Sequence, residues 1–169
     1  MSYTSLYEIY KTKAVSFKEL GNEHGSGPAI WDYIALKCTG GKFPMFGADT
    51  KGFWAPWKDE RLSENEKAVL LSTYDQAVIE IDKLDIFSKA CEEVHHKILS
   101  DSNWEWSHFE SIGEQALSLY EKHDYRCLGL AIGCTSVCDP WEFWKPGEGE
   151  REPWYIYSEI EALKTAVAV

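Results

Sequence analysis

Several sets of residues in this chain have the types that chemistry needs. Gly21-Asn22-Glu23-His24-Gly25-Ser26-Gly27-Pro28 lies between a strand-like and a helix-like segment. Backbone N–H groups and a helix dipole hold phosphate at such a place. On that reading Asn22, His24, Gly25, Ser26 and Gly27 form a phosphate loop. The stretch lacks the Gly-Lys-Ser/Thr ending of a P-loop and the G-x-G-x-x-G spacing of a dinucleotide fold, so a purely steric turn is the plainer reading. Cys91 and His95, and likewise Glu92 and His96, stand four apart and share a helix face. A zinc site needs three or four converging ligands. Cys127, Cys134 and Cys138 contain no C-x-x-C pair, and on an extended strand the last two lie about 13 Å apart. No metal and no cofactor are expected. Cys134, Cys138, His108, His123 and Asp124 supply the types for a nucleophile, a base and an orienting acid. No spacing brings them together, so no catalytic residue is assigned.

Tryptophan is the more unusual feature. Eight occur, most in loop-like contexts: Trp54-x-x-Trp57, Trp104-x-Trp106, Trp141-x-x-Trp144 and Trp154. Such residues dominate binding energy at interfaces, or else plug the ends of a core. Core plugging suits Trp31 and Trp54. Trp104 and Trp106 directly precede an acidic, helix-like segment. The expected partner-binding set is therefore Trp104, Glu105, Trp106, Glu110, Glu114, Glu121, Trp141 and Trp144.

Charge gives that set a direction. Residues 1–60 hold seven basic and seven acidic residues; residues 61–169 hold ten and twenty-one, so the whole net charge of −11 lies in the second part. Acidity of this kind repels nucleic acid and anionic membrane and speeds encounter with a basic protein surface. It also serves plain solubility. The N-terminal stretch has no secretory pattern, and an odd count of five cysteines reads as reduced thiols in a cytoplasm.

The elements that must position these residues follow from spacing. The stretch 63–100 carries apolar residues at Leu70, Tyr74, Ala77, Ile81, Leu84, Phe87, Cys91, Val94 and Ile98, one stripe of a long central helix. An S-x-x-E capping box at Ser63 and Glu66 starts it, and a kink or a short break is expected near Asp82–Asp85. Leu6–Tyr10 and Ala14–Leu20 read as a hairpin. Pro28 opens a helix over Ala29–Cys38 that Gly40 and Gly41 end. Residues 40–60 and 139–155 are loops. Further capping boxes at Ser107/Glu110 and Ser158/Glu161 start two shorter helices. Tyr125–Val137 is the best strand, apolar on both faces and expected mid-sheet; Tyr155–Tyr157 would add an edge.

The expected fold is thus α+β, with residues 1–169 as one domain. It has a small, mostly antiparallel sheet, the N-terminal hairpin plus a strand near 125–137, covered by a long central helix and two or three shorter ones. The expected function is that of an acidic cytoplasmic binding protein occupying a basic surface of a partner. Nucleic-acid enzymes display such surfaces, which makes an inhibitor, an immunity protein or an anti-defence protein fitting examples. Two alternatives stand beside it. One is a small enzyme or ligand-binding protein using Gly21–Gly27 for a phosphate-bearing ligand. The other is a structural subunit of a larger assembly or homo-oligomer.

Overall fold

A computed structural model describes residues 3–40, 56–74, 76–134 and 153–168. Tyr3–Ile9 (β1) and Ala14–Gly21 (β2) form the expected hairpin, closed where Tyr10 N–H donates to the Lys13 carbonyl at 2.9 Å. The register shifts between Leu6 and Tyr7, leaving Phe17 as an extra residue on β2. A one-residue slip sends the side chains beyond it to the other face. Ala14 and Leu20, six apart, would otherwise share a face; with the bulge they join two different apolar clusters.

Gly129–Cys134 (β4) lies in the middle of the sheet, as its two-sided apolar character implies. It pairs antiparallel with β1 on one side and with Ala77–Glu80 (β3) on the other. Trp154–Tyr155 (β5) adds a parallel edge beside β3. The order β2-β1-β4-β3-β5 gives a mixed sheet rather than a mostly antiparallel one. Gly129 sits where β3 and β4 approach most closely. A Cβ there would lie 1.9 Å from the Ile79 carbonyl oxygen.

Among the described residues the α-helices of this α+β fold are Gly27–Thr39 (α1), Glu64–Leu71 (α2), Leu84–Asp101 (α3), Phe109–Glu121 (α4) and Ile156–Val167 (α5). Helix α1 begins with Pro28 in its first turn and ends at left-handed Gly40, as expected. Leu6, Ile79, Leu130 and Ile132 from the sheet meet Ile30, Phe87, Val94, Ile98, Phe109 and Ile112 from the helices in the main core. Ile9, Ala14, Val78 and Ala131 form a smaller cluster from the alternate positions of the strands. Helices α3 and α4 cross at Gly113, where a Cβ would stand 3.0 Å from both Cys91 Cβ and the Ser88 carbonyl. Among the described residues no helix is long and apolar enough to cross a membrane.

The single long helix over 63–100 is corrected. Its first turns are α2 and its last seventeen residues lie in α3, but a turn, strand β3 and a 3-10 segment at Ile81–Lys83, beside the expected kink or break, separate them. The Ser72 and Thr73 hydroxyls donate back to the Val69 and Leu70 carbonyls, at 2.6 and 2.7 Å, as α2 ends. Gln76 then takes a left-handed φ of 63°. Ala77, Val78 and Ile79 are all buried, on alternating sides, which a strand allows and a one-sided helix does not. Two of the three capping boxes are also corrected. Helix α5 starts two residues before Ser158, and the Glu80 carboxylate caps it from β3, accepting the Tyr157 N–H at 3.1 Å and the Ser158 N–H at 2.7 Å. The box expected at Ser107 is replaced by a contact described below.

The first capping box forms, and it does more than cap. Ser63 Oγ accepts the Glu66 N–H at 3.2 Å, and the Ser63 N–H donates to Glu66 Oε2 at 2.7 Å. Glu66 is fully buried. Lys37 Nζ lies 2.7 Å from each of its oxygens, Tyr33 donates its hydroxyl to Oε1, and Lys97 Nζ stands 3.7 Å away. One carboxylate therefore joins α1, α2 and α3. Burial alone would raise its pKa, but hydrogen bonds from Lys37, Tyr33 and the Ser63 N–H outweigh burial and hold it below the usual range. Burial and the neighbouring carboxylate push the Tyr33 hydroxyl well up.

Two stability predictions follow from these contacts. Gly129→Ala should cost at least about 3 kcal/mol, the upper end for overpacking against rigid backbone, read from the denaturation midpoint. Gly21→Ala, with nothing within 4 Å of the added carbon, should cost less than about 1 kcal/mol. Glu66→Gln should cost about 3 kcal/mol at neutral pH. Because the folded-state pKa is depressed, the carboxylate's contribution is complete above the unfolded value of ~4.3 and is lost as pH falls through the folded value. The gap between parent and variant should therefore shrink in acid. A constant gap would contradict the assignment.

Candidate functional site

The structure brings two of the sequence-level features together. The segment from Ser102 to His108, which links α3 to α4, is an arm that lies on the loop Gly21–Gly27. Ser102 starts the arm by donating to the Ile98 carbonyl at 2.6 Å and accepting the Trp104 N–H at 3.2 Å. Trp104 is half-buried and donates its indole N–H to Asp32 Oδ2 of α1 at 3.0 Å. The His108 N–H donates to the Gly25 carbonyl at 2.7 Å. His108 Nε2 reaches the Gly21 and Asn22 carbonyls, at 3.0 and 2.6 Å. Both partners only accept, so Nε2 carries the proton.

Trp106 stands over this seat. Its ring packs edge-on against Trp104, with centroids 6.4 Å apart, and against His108 at 5.1 Å. A Cβ on Gly25 would fall 2.1 Å from the indole, so glycine is what lets the ring approach the loop backbone. Even so, 40 % of Trp106 stays exposed.

The loop is thereby turned toward the arm. Gly21, Asn22 and Gly25 present carbonyls to His108, whereas a phosphate needs N–H donors. Asn22, at a left-handed φ of 72°, accepts the His24 N–H on its side-chain oxygen at 3.1 Å. Ser26 is buried, and its hydroxyl meets Thr4 Oγ1 at 2.8 Å instead of capping α1. Gly27 begins α1, and His24 is exposed.

Behind the arm, Ser107 makes the contact that displaces the expected capping box. Its oxygen accepts the Phe109 N–H at 3.3 Å and lies 2.7 Å from Nδ1 of buried His95 on α3. On the other side of the ring, Nε2 lies 3.8 Å from the Glu110 carboxylate. A hydroxyl, an imidazole and a carboxylate thus stand in a row. The hydroxyl is buried and already engaged at the start of α4, so the row works as a brace between α3 and the arm. Cys91 is buried in the core, where the apolar surroundings push its thiol well up. Among the described residues no group of three or more His, Cys, Asp and Glu is placed to hold a metal. His123 is exposed, and Asp124 binds Arg126 through its backbone N–H at 3.0 Å.

The acids of the expected partner set line the solvent side. Glu105, Glu110, Glu114 and Glu121 are all exposed, as is Asp101. From Ile98 to Glu121 the chain holds these five carboxylates and no lysine or arginine. Trp141 and Trp144, also expected there, lie outside the described residues, as does Trp54. Trp31 is a core plug as expected, stacked on Tyr74 at 5.5 Å with its indole N–H on Thr73 Oγ1 at 3.0 Å.

A second concave surface, a groove of about 760 Å³, opens between α5 and the start of α3. Three of its four carboxylates are engaged within the chain, and Asp82 is exposed. Glu80 caps α5, while Glu64 and Glu161 hold Lys164 at 2.5 and 3.4 Å.

Asp32 and the loop carbonyls were not singled out by sequence, since their partners lie far along the chain, and His95 was marked there only for its helical spacing from Cys91. The S-x-x-E pattern at Ser107 pointed to the right residue with the wrong partner. Comparison with protein-family models, curated proteins and solved structures found no match for this chain. Fold and residues together define its class as an α+β domain presenting an acidic, tryptophan-bearing arm. Ser107→Ala should leave the buried imidazole of His95 without its partner and cost about 2 kcal/mol, measured by denaturant unfolding. A cost near zero would show that the brace carries no stability.

Proposed function

We propose that this chain is a small acidic binding protein that sets the face from Trp104 to Glu121 against a basic surface of a partner protein. The observation that carries the reading is the pairing of an exposed, firmly held indole with four exposed carboxylates and no intervening lysine or arginine. Unbalanced charge steers encounter, while a desolvated tryptophan supplies binding energy that surface charges do not. Proteins that handle nucleic acid carry basic surfaces for the phosphates they bind. An inhibitor, immunity or anti-defence protein acting on such an enzyme is the kind of molecule this face suits.

The test is kinetic. Proteins captured from extract of the source cell at low salt and released at high salt supply the partner. Glu110, Glu114 and Glu121 are then reversed to lysine together. All three are exposed, so the fold should persist. The association rate at low salt should fall about 10- to 100-fold, with dissociation much less affected. An unchanged association rate would overturn the reading.

A further inference from the structure

We infer that Trp106 is the receptor for an arginine side chain of the partner, with the guanidinium stacked on the exposed part of the indole, and that Gly25 and His108 are the residues that position it. The inference rests on the proposed basic partner and specifies the group that the site takes.

Three observations converge on it. The first is rigidity. Trp106 is flanked edge-on by two rings and seated on Gly25. His108 is itself tied to three loop carbonyls through its backbone and its ring. An indole fixed before binding has little conformational freedom left to lose when a ligand stacks on it.

The second is the lack of an internal cation. Elsewhere the chain supplies its own lysines to its aromatic rings: Lys13 lies 5.2 Å from the Tyr10 ring centre, Lys58 5.5 Å from Trp57 and Lys122 5.9 Å from Phe17. No described cation is so placed over Trp106, and the sequence around it, from Ile98 to Glu121, has no lysine or arginine to offer. Among the described residues the ring has no cation of its own, and one from a partner can take that place.

The third is the surrounding charge. Glu105 is the adjacent residue, and Glu110 opens α4 with 66 % of its side chain exposed. A purely apolar anchor would be a poor match for such a rim. Arginine fits best, because its planar guanidinium stacks on an aromatic face while its edge can pair with a carboxylate; the compact ammonium of lysine cannot do both as well.

The probes are hexa-arginine and hexa-lysine peptides titrated at low salt into the isotope-labelled full chain, read by NMR. Both should bind the acidic face. Hexa-arginine should move the Trp106 indole N–H signal and bind at least threefold more tightly than hexa-lysine. Trp106→Leu should weaken hexa-arginine about fivefold and bring it level with hexa-lysine. Gly25→Ala keeps the indole but unseats it, and should erase the same preference in a chain whose spectrum remains folded. Reversing Glu114 and Glu121 to lysine should weaken both peptides alike. Equal affinity for the two peptides, indifferent to Trp106→Leu, would overturn the arginine assignment while leaving the basic-partner reading standing. Failure of both peptides to bind at low salt would overturn both.

Discussion

A carboxylate with no access to water must be satisfied from within, and Glu66 sets that requirement for the helical layer. An unpaired buried charge is costly enough that its partners cannot wander. Tyr33 and Lys37 must come from successive turns of one face of α1, the Ser63 N–H from the start of α2, and Lys97 from the last turns of α3. Lys97 is also held by Glu93 at 2.8 Å, so the far end of α3 is fixed just before the chain leaves it. The arm begins five residues beyond Lys97, and one of its attachments is Asp32, one residue before Tyr33. The geometry of the exposed face therefore inherits its precision from a group that never meets solvent.

The sheet contributes the second constraint. Strand β3 occupies a place between two helices where the chain has only a few residues to cross the core. It is held by Gly129, whose missing side chain makes room for the Ile79 carbonyl, and by Glu80, whose carboxylate leaves the strand to cap α5. Glu66 and Glu80 each accept backbone N–H groups at a helix start, Glu66 beside the Ser63 cap and Glu80 in place of one. Part of the strong acidity of residues 61–169 is thus structural and internal. Net charge alone therefore does not distinguish the acids used inside the fold from those, such as Glu105, Glu114 and Glu121, that stay exposed on the arm and α4.

Signals confined to a few neighbouring residues were legible in the sequence. The hairpin, the Pro28 start and Gly40 end of α1, the Ser63 box and the two-sided apolar strand at Gly129–Cys134 all have local causes. Strand β3 was hidden because Leu70, Tyr74, Ala77, Ile81 and Leu84 keep helical spacing straight through it; only the solid Ala77-Val78-Ile79 run hinted otherwise. Ser107 and Ser158 carry the same S-x-x-E signature as Ser63, yet a distant partner intervenes in each case: His95 for the first, Glu80 for the second. The seating of Trp106 on Gly25 joins positions some eighty residues apart. A glycine whose missing side chain makes room for a remote ring leaves no local trace. The candidate site was therefore legible as two unrelated halves, an acidic tryptophan pair and a glycine loop, and their union is a property of the fold.

The most direct measurement is site-specific photocrosslinking in extract of the source cell, at two surface positions on opposite candidate faces. A crosslinking residue at Ser118 reports from between Glu114 and Glu121 on α4, and one at Thr165 reports from the groove beside α5. The account predicts one discrete basic protein joined through position 118 at low salt, lost at high salt, and no such product through position 165. A partner joined through position 165, with position 118 silent, would contradict it.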